Sequence, residues 1–434
     1  MERALTLASC FLVLAVLNCE QSTEDIMDDL VPAGDFKTVT RISPSDIEGG
    51  DRLGAAIDAD GEFTAIGARG DDEKGIDAGA VYILQHQGRD FSNIAETLYP
   101  DEPTNQDGFG YSVGISGNTL IVGAPHNDKY GEDAGVAYLY QHLGGNQWSF
   151  IMELASPTPS AGDQFGWSVD IDQGVAAVGS WADAENYYDT EFIKNGAGVA
   201  QGSVFVYQES NNWELEQKLT PDQDQGHRWD NFGSSLTLNG STIAVGARGT
   251  DNTSYEGPGS VYVFQGTNGS WTQTEKLEAA DGQDEDFFGT SLCMDGGYLA
   301  VTASGKYNSL LSQGLTGTAY VFKKSGDTWS QETKLQAAGA LPDDGFGEGG
   351  ITMNQDFVVV GAPNATVSVP FNGEAYFFKR DGSWAESHKI AAPDPVAEDA
   401  FGATMTMTDD MLFVGAPRKC NGNGCLAGVV YFVY

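Results

Sequence analysis

Basic residues are scarce in this chain: 22 Lys and Arg face 62 Asp and Glu across 434 residues, for a formal net charge of -40. A nucleic-acid binder needs a basic footprint to neutralise phosphates, so that partner is excluded, and the same field repels anionic membrane surfaces. The acidity reads as solubility in a salty exterior in preference to a store for cations. Long hydrophobic runs are also lacking. The sustained one, residues 4–17 after Arg3, is too short to cross a bilayer and reads as part of a signal peptide over 1–19, with cleavage near Cys19 to Ser22. Secretion or display at the cell surface follows, and lipid anchoring is disfavoured because Asn18 precedes Cys19 and Cys10 lies too early. Residues 20–34, with Glu20, Glu24, Asp25, Asp28 and Asp29, read as an acidic linker without structure.

Cysteine and histidine are sparse as well. With the signal segment removed, Cys293, Cys420 and Cys425 remain. Cys420 and Cys425 bracket one short loop and suit a local disulfide in an oxidising compartment; no His lies nearby to complete a metal site. Cys293 falls in an apolar run and reads as a buried thiol. The five histidines, His86, His126, His142, His227 and His388, are scattered, with no nucleophile elbow or metal pair beside them. Helical periodicity is missing throughout.

What is abundant is repetition. Seven times an Asp is followed, after one residue, by Phe-Gly or once Leu-Gly, with 55 to 67 residues between successive glycines. The acids are Asp51, Asp107, Asp163, Asp230, Asp286, Asp344 and Asp399. A feature common to every repeat serves what the repeats share, so these are read as structural anchors: the Asp accepts backbone N–H bonds to fix a turn, the Phe packs, and the Gly allows close approach. After each anchor come a short alternating run, a tight polar turn, a second apolar run ending in Gly-Ala-Pro or a variant, a loop, a Gly followed by an aromatic strand, and an aromatic-led fourth strand. Four strands in each of seven units predict an all-β, seven-bladed propeller over 35–434. The last repeat stops at Tyr434 without a fourth strand, and Phe36 to Ile42 repeats the fourth-strand pattern before the first anchor. The N-terminal strand is therefore expected to complete the last blade and close the ring.

The Phe-Gly anchor with Gly-Ala-Pro, seen most cleanly from Phe109 to Pro125, resembles the FG-GAP repeats that build the propeller of integrin alpha subunits. The resemblance covers 35–434 and implies the propeller fold; it implies an adhesion or binding module less specifically, because one fold hosts unrelated functions. Integrin-like calcium sites need an Asp-rich loop between the first and second strands, since Ca²⁺ takes six to eight oxygen ligands. Here that connection is a tight turn in every repeat, for example Ser116-Gly117-Asn118, so no metal or other cofactor is expected and the chain looks closer to a calcium-free type of repeat.

Function is expected where the repeats differ. Loops before each first strand and between second and third strands share one face of the ring, and the third repeat carries the longest of them. It holds Trp181, Asp183, Glu185, Tyr187, Tyr188 and Glu191, and the loop before the fourth blade adds His227, Arg228 and Trp229. Aromatic faces beside carboxylates suit a carbohydrate, a cationic peptide or a metal-bridged ligand, and the module is expected to bind an extracellular protein or carbohydrate as a monomeric propeller; the alternative is a loop folded over its own propeller. Arg69-Gly70-Asp71 spells an integrin-binding tripeptide at a position where exposure is expected, although Arg248-Gly249-Thr250 shows that the template itself generates Arg-Gly there. Asn239, Asn252, Asn268 and Asn364 begin glycosylation sequons that count only in a eukaryote. The rival reading is a glycan hydrolase or lyase with Asp58 and Asp170, at matching first-strand positions, facing across the channel; two solvated acids in a wet channel is the simpler account.

Overall fold

A computed structural model describes residues 39–86, 94–183, 201–222, 230–249, 257–267, 269–305, 317–341, 343–420 and 424–434. The signal-peptide and linker assignments over 1–34 lie outside them. Among the described residues are seven four-stranded antiparallel sheets, each in up-and-down order, and the helical content is one 3-10 turn, Glu209–Asn211. The chain is an all-β seven-bladed propeller. The last blade contains Thr404–Met407, Leu412–Ala416 and Val429–Val433, and its outer strand is Val39–Ile42 from the other end of the chain. Val39 lies opposite Val433 and Ile42 opposite Val430, so the N-terminal strand closes the ring as the sequence pattern requires.

The anchor motif works through backbone geometry. In six blades the Asp carboxylate accepts the N–H of the residue three positions earlier, at 2.6 to 2.8 Å. For Asp230 that position is residue 227, outside the described residues. The residue after the Asp takes a left-handed conformation, with φ of 58° at Arg52 and 53° at Gln164, and the following Phe turns inward. Phe109 is fully buried between the first two blades and meets Tyr138 edge-to-face at 5.4 Å. The aromatic of each third strand faces a base on the fourth in five blades: Phe205 and Lys218, Tyr262 and Lys276, Tyr320 and Lys334, Tyr376 and Lys389, Tyr431 and Arg41. A cation over an aromatic face explains why the fourth-strand pattern retains a base in so acidic a chain.

The glycine of Gly-Ala-Pro lets neighbouring blades touch. A Cβ on Gly123 would lie 2.0 Å from the carbonyl oxygen of Gly166, and one on Gly415 would lie 2.4 Å from that of Gly54, across the ring seam. Hydroxyls one strand inward complete the same junctions: Ser112, Ser168, Ser235 and Thr404 donate to the carbonyls of Gly166, Gly233, Gly289 and Gly54 at 2.6 to 2.8 Å. Connections between first and second strands are two residues long in five blades, three in the sixth and four in the seventh. Cys420 and Cys425 are disulfide-bonded, and their loop packs on Gly49 beside the seam.

Candidate functional site

The residue that follows each Phe-Gly, or Leu-Gly in the first blade, lies at the entry to the innermost strand, at the long-loop end of the central channel. Around the ring these are Ala55, Tyr111, Trp167, Ser234, Thr290, Glu348 and Ala403, and all seven border an axial cavity of about 360 Å³. Its inner end is bordered by apolar side chains, among them Ile57, Val113, Val169, Leu236 and Met405. Among the described residues at these seven positions, large aromatics stand at blades two and three. Tyr111 and Trp167 lie 4.6 Å apart between ring centroids, and Trp167 meets Trp181 edge-to-face at 5.4 Å. The three rings make a ledge running from the axis to the root of the long blade-three loop. His126, hydrogen-bonded to Asp133 at 3.0 Å, packs edge-on to Tyr111 from the other side. Above the Tyr111 ring stands the Arg69 guanidinium, 4.8 Å from its centroid. Burial raises the Tyr111 phenol pKa although the Arg69 and Arg248 charges oppose the shift, so the ring is neutral at physiological pH.

A family model for the FG-GAP repeat matches residues 36–84, 95–140, 148–207, 213–264, 271–322, 329–378 and 384–434. The chain belongs to the FG-GAP repeat family. Each matched segment after the first starts in the outer strand of one blade and runs through three strands of the next, so the FG-GAP unit is offset by one strand from the blade. That offset is why the ends of this FG-GAP chain meet in one sheet. No curated protein shows significant similarity to it.

The sequence-predicted contact residues are distributed unevenly in this FG-GAP propeller. Trp181 is half-buried on the ledge. Asp183 is buried and paired with Lys218 at 2.8 Å; it occupies the place that Asp71 and Asn127 hold in the first two blades, which commits it to blade packing and takes it out of the open contact surface. Glu185, Tyr187, Tyr188 and Glu191, and His227, Arg228 and Trp229, lie outside the described residues, as do the sequons at Asn252 and Asn268. Asn239 ends the first strand of blade four, at the short-turn end, and Asn364 lines the long-loop mouth. The Arg-Gly-Asp tripeptide differs from its expected exposure. Asp71 is 4 % exposed and accepts hydrogen bonds from the Tyr82 hydroxyl and the Glu73 N–H, while Gly70 is pressed against the carbonyl of Gly50. Only the Arg69 side chain of the three is available to a ligand. Tyr111 and Trp167 were not singled out from sequence, although a comparison of the residue after Phe-Gly across the seven repeats exposes them directly.

Asp58 and Asp170 lie near enough for the Asp58 charge to act on Asp170, and between them Gly114 packs so tightly that an added Cβ would lie 3.1 Å from the Asp170 Cα. Their oxygens are already engaged. Asp58 accepts from the Ile115 N–H and the Thr406 hydroxyl, and Asp170 from the N–H groups of Ile171 and Leu238. Two residues on, Asp60 and Asp172 accept from Gly117 and Gly240, so each Asp-x-Asp clamps the next blade. Neither Asp58 nor Asp170 borders the axial cavity. Burial pushes Asp58 up to about 6, and burial together with the Asp58 charge pushes Asp170 up to about 8. A carboxyl whose folded pKa exceeds its unfolded value favours the folded state while it holds its proton, and that contribution is lost as pH rises from about 4 through about 8. Asp170→Asn is accordingly expected to flatten the fall in melting temperature between pH 5 and pH 9, while lowering stability at acid pH because its amide NH2 must face one of the two backbone N–H groups that the carboxyl oxygens accept. Parallel Tm-against-pH curves for the two proteins would show that the clamp carries no such proton.

Proposed function

We propose that this FG-GAP propeller is a secreted or cell-surface binding module that takes a carbohydrate or protein ligand at the long-loop mouth of its channel. The ledge of Tyr111, Trp167 and Trp181 carries this reading. Three aromatic rings in edge and tilted contact at a solvent-facing concavity offer flat apolar surface with fixed geometry, which is what sugar rings and protein hot spots dock against. Their position favours recognition too: they stand where the blades differ, on inner strands locked to their neighbours by backbone contacts, so the surface is organised before a ligand arrives. FG-GAP repeats are typical of extracellular proteins, the disulfide suits an oxidising compartment, and no described helix is long and apolar enough to cross a membrane. Acid/base chemistry at the axis would need free carboxylate oxygens facing the cavity, whereas those of Asp58 and Asp170 hold backbone N–H groups.

A glycan and extracellular-protein array probed with wild type and with Trp167→Ala/Trp181→Ala tests this reading. Specific wild-type binding that falls about tenfold or more in the double variant, at unchanged fold, is the expected result. Binding that survives intact would move the ligand off the ledge.

A further inference from the structure

Of the nine arginines in the chain, Arg52, Arg69 and Arg418 line one cavity of about 490 Å³ at the channel mouth, adjoining the aromatic ledge. They reach it from two blades on either side of the ring seam: Arg52 from the left-handed position of the first anchor, Arg69 from the Gly-Ala-Pro position of blade one, and Arg418 from just past that of blade seven. Acids outnumber bases almost threefold overall, yet none of the ion pairs among the described residues involves any of these three. Among the described residues Glu348 is the one carboxylate on the cavity wall, and it accepts a hydrogen bond from the Asn364 amide at 2.8 Å. Arg69 is stacked on Tyr111, and its Nε is closed off from water without an acceptor. Arg52 and Arg69 also border an adjoining cavity with Asp77 and Asp133, of which Asp133 is held by His126 at 3.0 Å; on the mouth wall itself three guanidinium groups face one described carboxylate in a concavity of ligand size.

We propose that this cavity is an anion subsite and that the ligand is an acidic saccharide. Its carboxylate or sulfate would be seated by Arg52, Arg69 and Arg418, while a sugar ring lies on Tyr111 or Trp167. The planar fork of arginine matches the paired oxygens of either anion, and a ring face beside it suits the C–H surface of a pyranose. Salt screening limits the attraction to about 8 Å around the mouth at physiological ionic strength and the acidic exterior repels beyond it, so the end of an acidic chain is accommodated and extended contact with a polyanion is opposed. This assignment rests on the binding reading above and narrows it to one class of ligand.

Titration calorimetry on the mature chain, using an oligogalacturonate, a sulfated galacto-oligosaccharide and a neutral galacto-oligosaccharide of matched length, tests it and separates carboxylate from sulfate. At least one acidic probe is expected to bind, more weakly as salt is raised. Arg52→Gln/Arg418→Gln should weaken that probe about tenfold or more and leave any neutral binding unchanged, whereas Trp167→Ala should weaken both. Arg69→Lys, which keeps the charge and loses the fork, should give a smaller loss. Melting temperatures matching wild type would confirm that the variants are folded. Neutral binding equal to acidic binding, or acidic binding untouched by the double arginine variant, would overturn the anion subsite and leave the ledge standing. A wild type that binds no acidic probe overturns the subsite directly, and the array result with the tryptophan variant then decides the broader reading independently.

Discussion

Removal of residues 35–45 is expected to lower the melting temperature of the entire propeller by about 10 °C or more and to promote aggregation. The strand Val39–Ile42 is the outer edge of blade seven while its chain continues directly into blade one, so it works as a clasp between the two ends of the ring. It covers the ladder edge of Val429–Val433, and Arg41 pairs with Asp394 at 3.0 Å, an acid that also receives the Tyr431 hydroxyl. Without the clasp, four residues of blade seven lose backbone partners and the buried row of Val430, Tyr431 and Phe432 gains an open edge. The inner seam, held by Thr404 to Gly54 and by backbone bonds from Arg52 and Leu53 to Leu426 and Ala427, remains but then carries the closure alone. Differential scanning calorimetry of the truncated and full chains checks the prediction. Coincident transitions would mean that the ring does not depend on its terminal strand.

Gly123→Ala should be more damaging than its single methyl suggests, with a cost above about 4 kcal/mol and a fall of about 5 °C or more in melting temperature. The added Cβ would lie 2.0 Å from the Gly166 carbonyl oxygen and 2.3 Å from the Ser112 Oγ, contacts that no rotamer can relieve because the first obstacle is the backbone of the adjacent blade. Blade five shows what accommodation requires. There Thr302 stands in place of the glycine, its Cβ 3.1 Å from where a Gly347 Cβ would be, and the neighbouring first strand is shortened to Ile351–Met353 after an extra residue. Such rebuilding is not open to a point variant at position 123. Gly117→Asn, in a turn with open space around the glycine and φ of 56°, is the control and should change stability little, since Asn tolerates that conformation. A Gly123→Ala protein that melted with wild type would show that the blade junction is looser than its geometry implies.

The fold was legible in the sequence because each propeller signal is local: Asp-x-Phe-Gly builds one turn, Gly-Ala-Pro ends one strand, and repetition reports that the same unit is packed again. The ring closure was legible for a related reason, since a fourth-strand pattern at Phe36 to Ile42 has no partner nearby in sequence. The ledge was much less visible. Tyr111 and Trp167 are 56 residues apart and look like ordinary strand residues until the ring brings equivalent positions of adjacent blades to 4.6 Å. Arg-Gly-Asp misled in the opposite direction, because nothing in three residues reveals that the turn tucks Asp71 beneath Tyr82.

The sequence by itself determined the number of blades, the strand order within each and the strand that closes them, because turn and strand signals recur locally in every repeat and the closing strand shows as a fourth-strand pattern with no local partner. The tertiary structure alone decided that Asp58 and Asp170 spend their oxygens on hydrogen bonds within and between blades, and that an aromatic ledge and three arginines, unpaired with any acid among the described residues, meet at one mouth. Those are properties of the axis, where side chains from distant repeats converge and where contacts depend on the angle between blades, which no single repeat encodes.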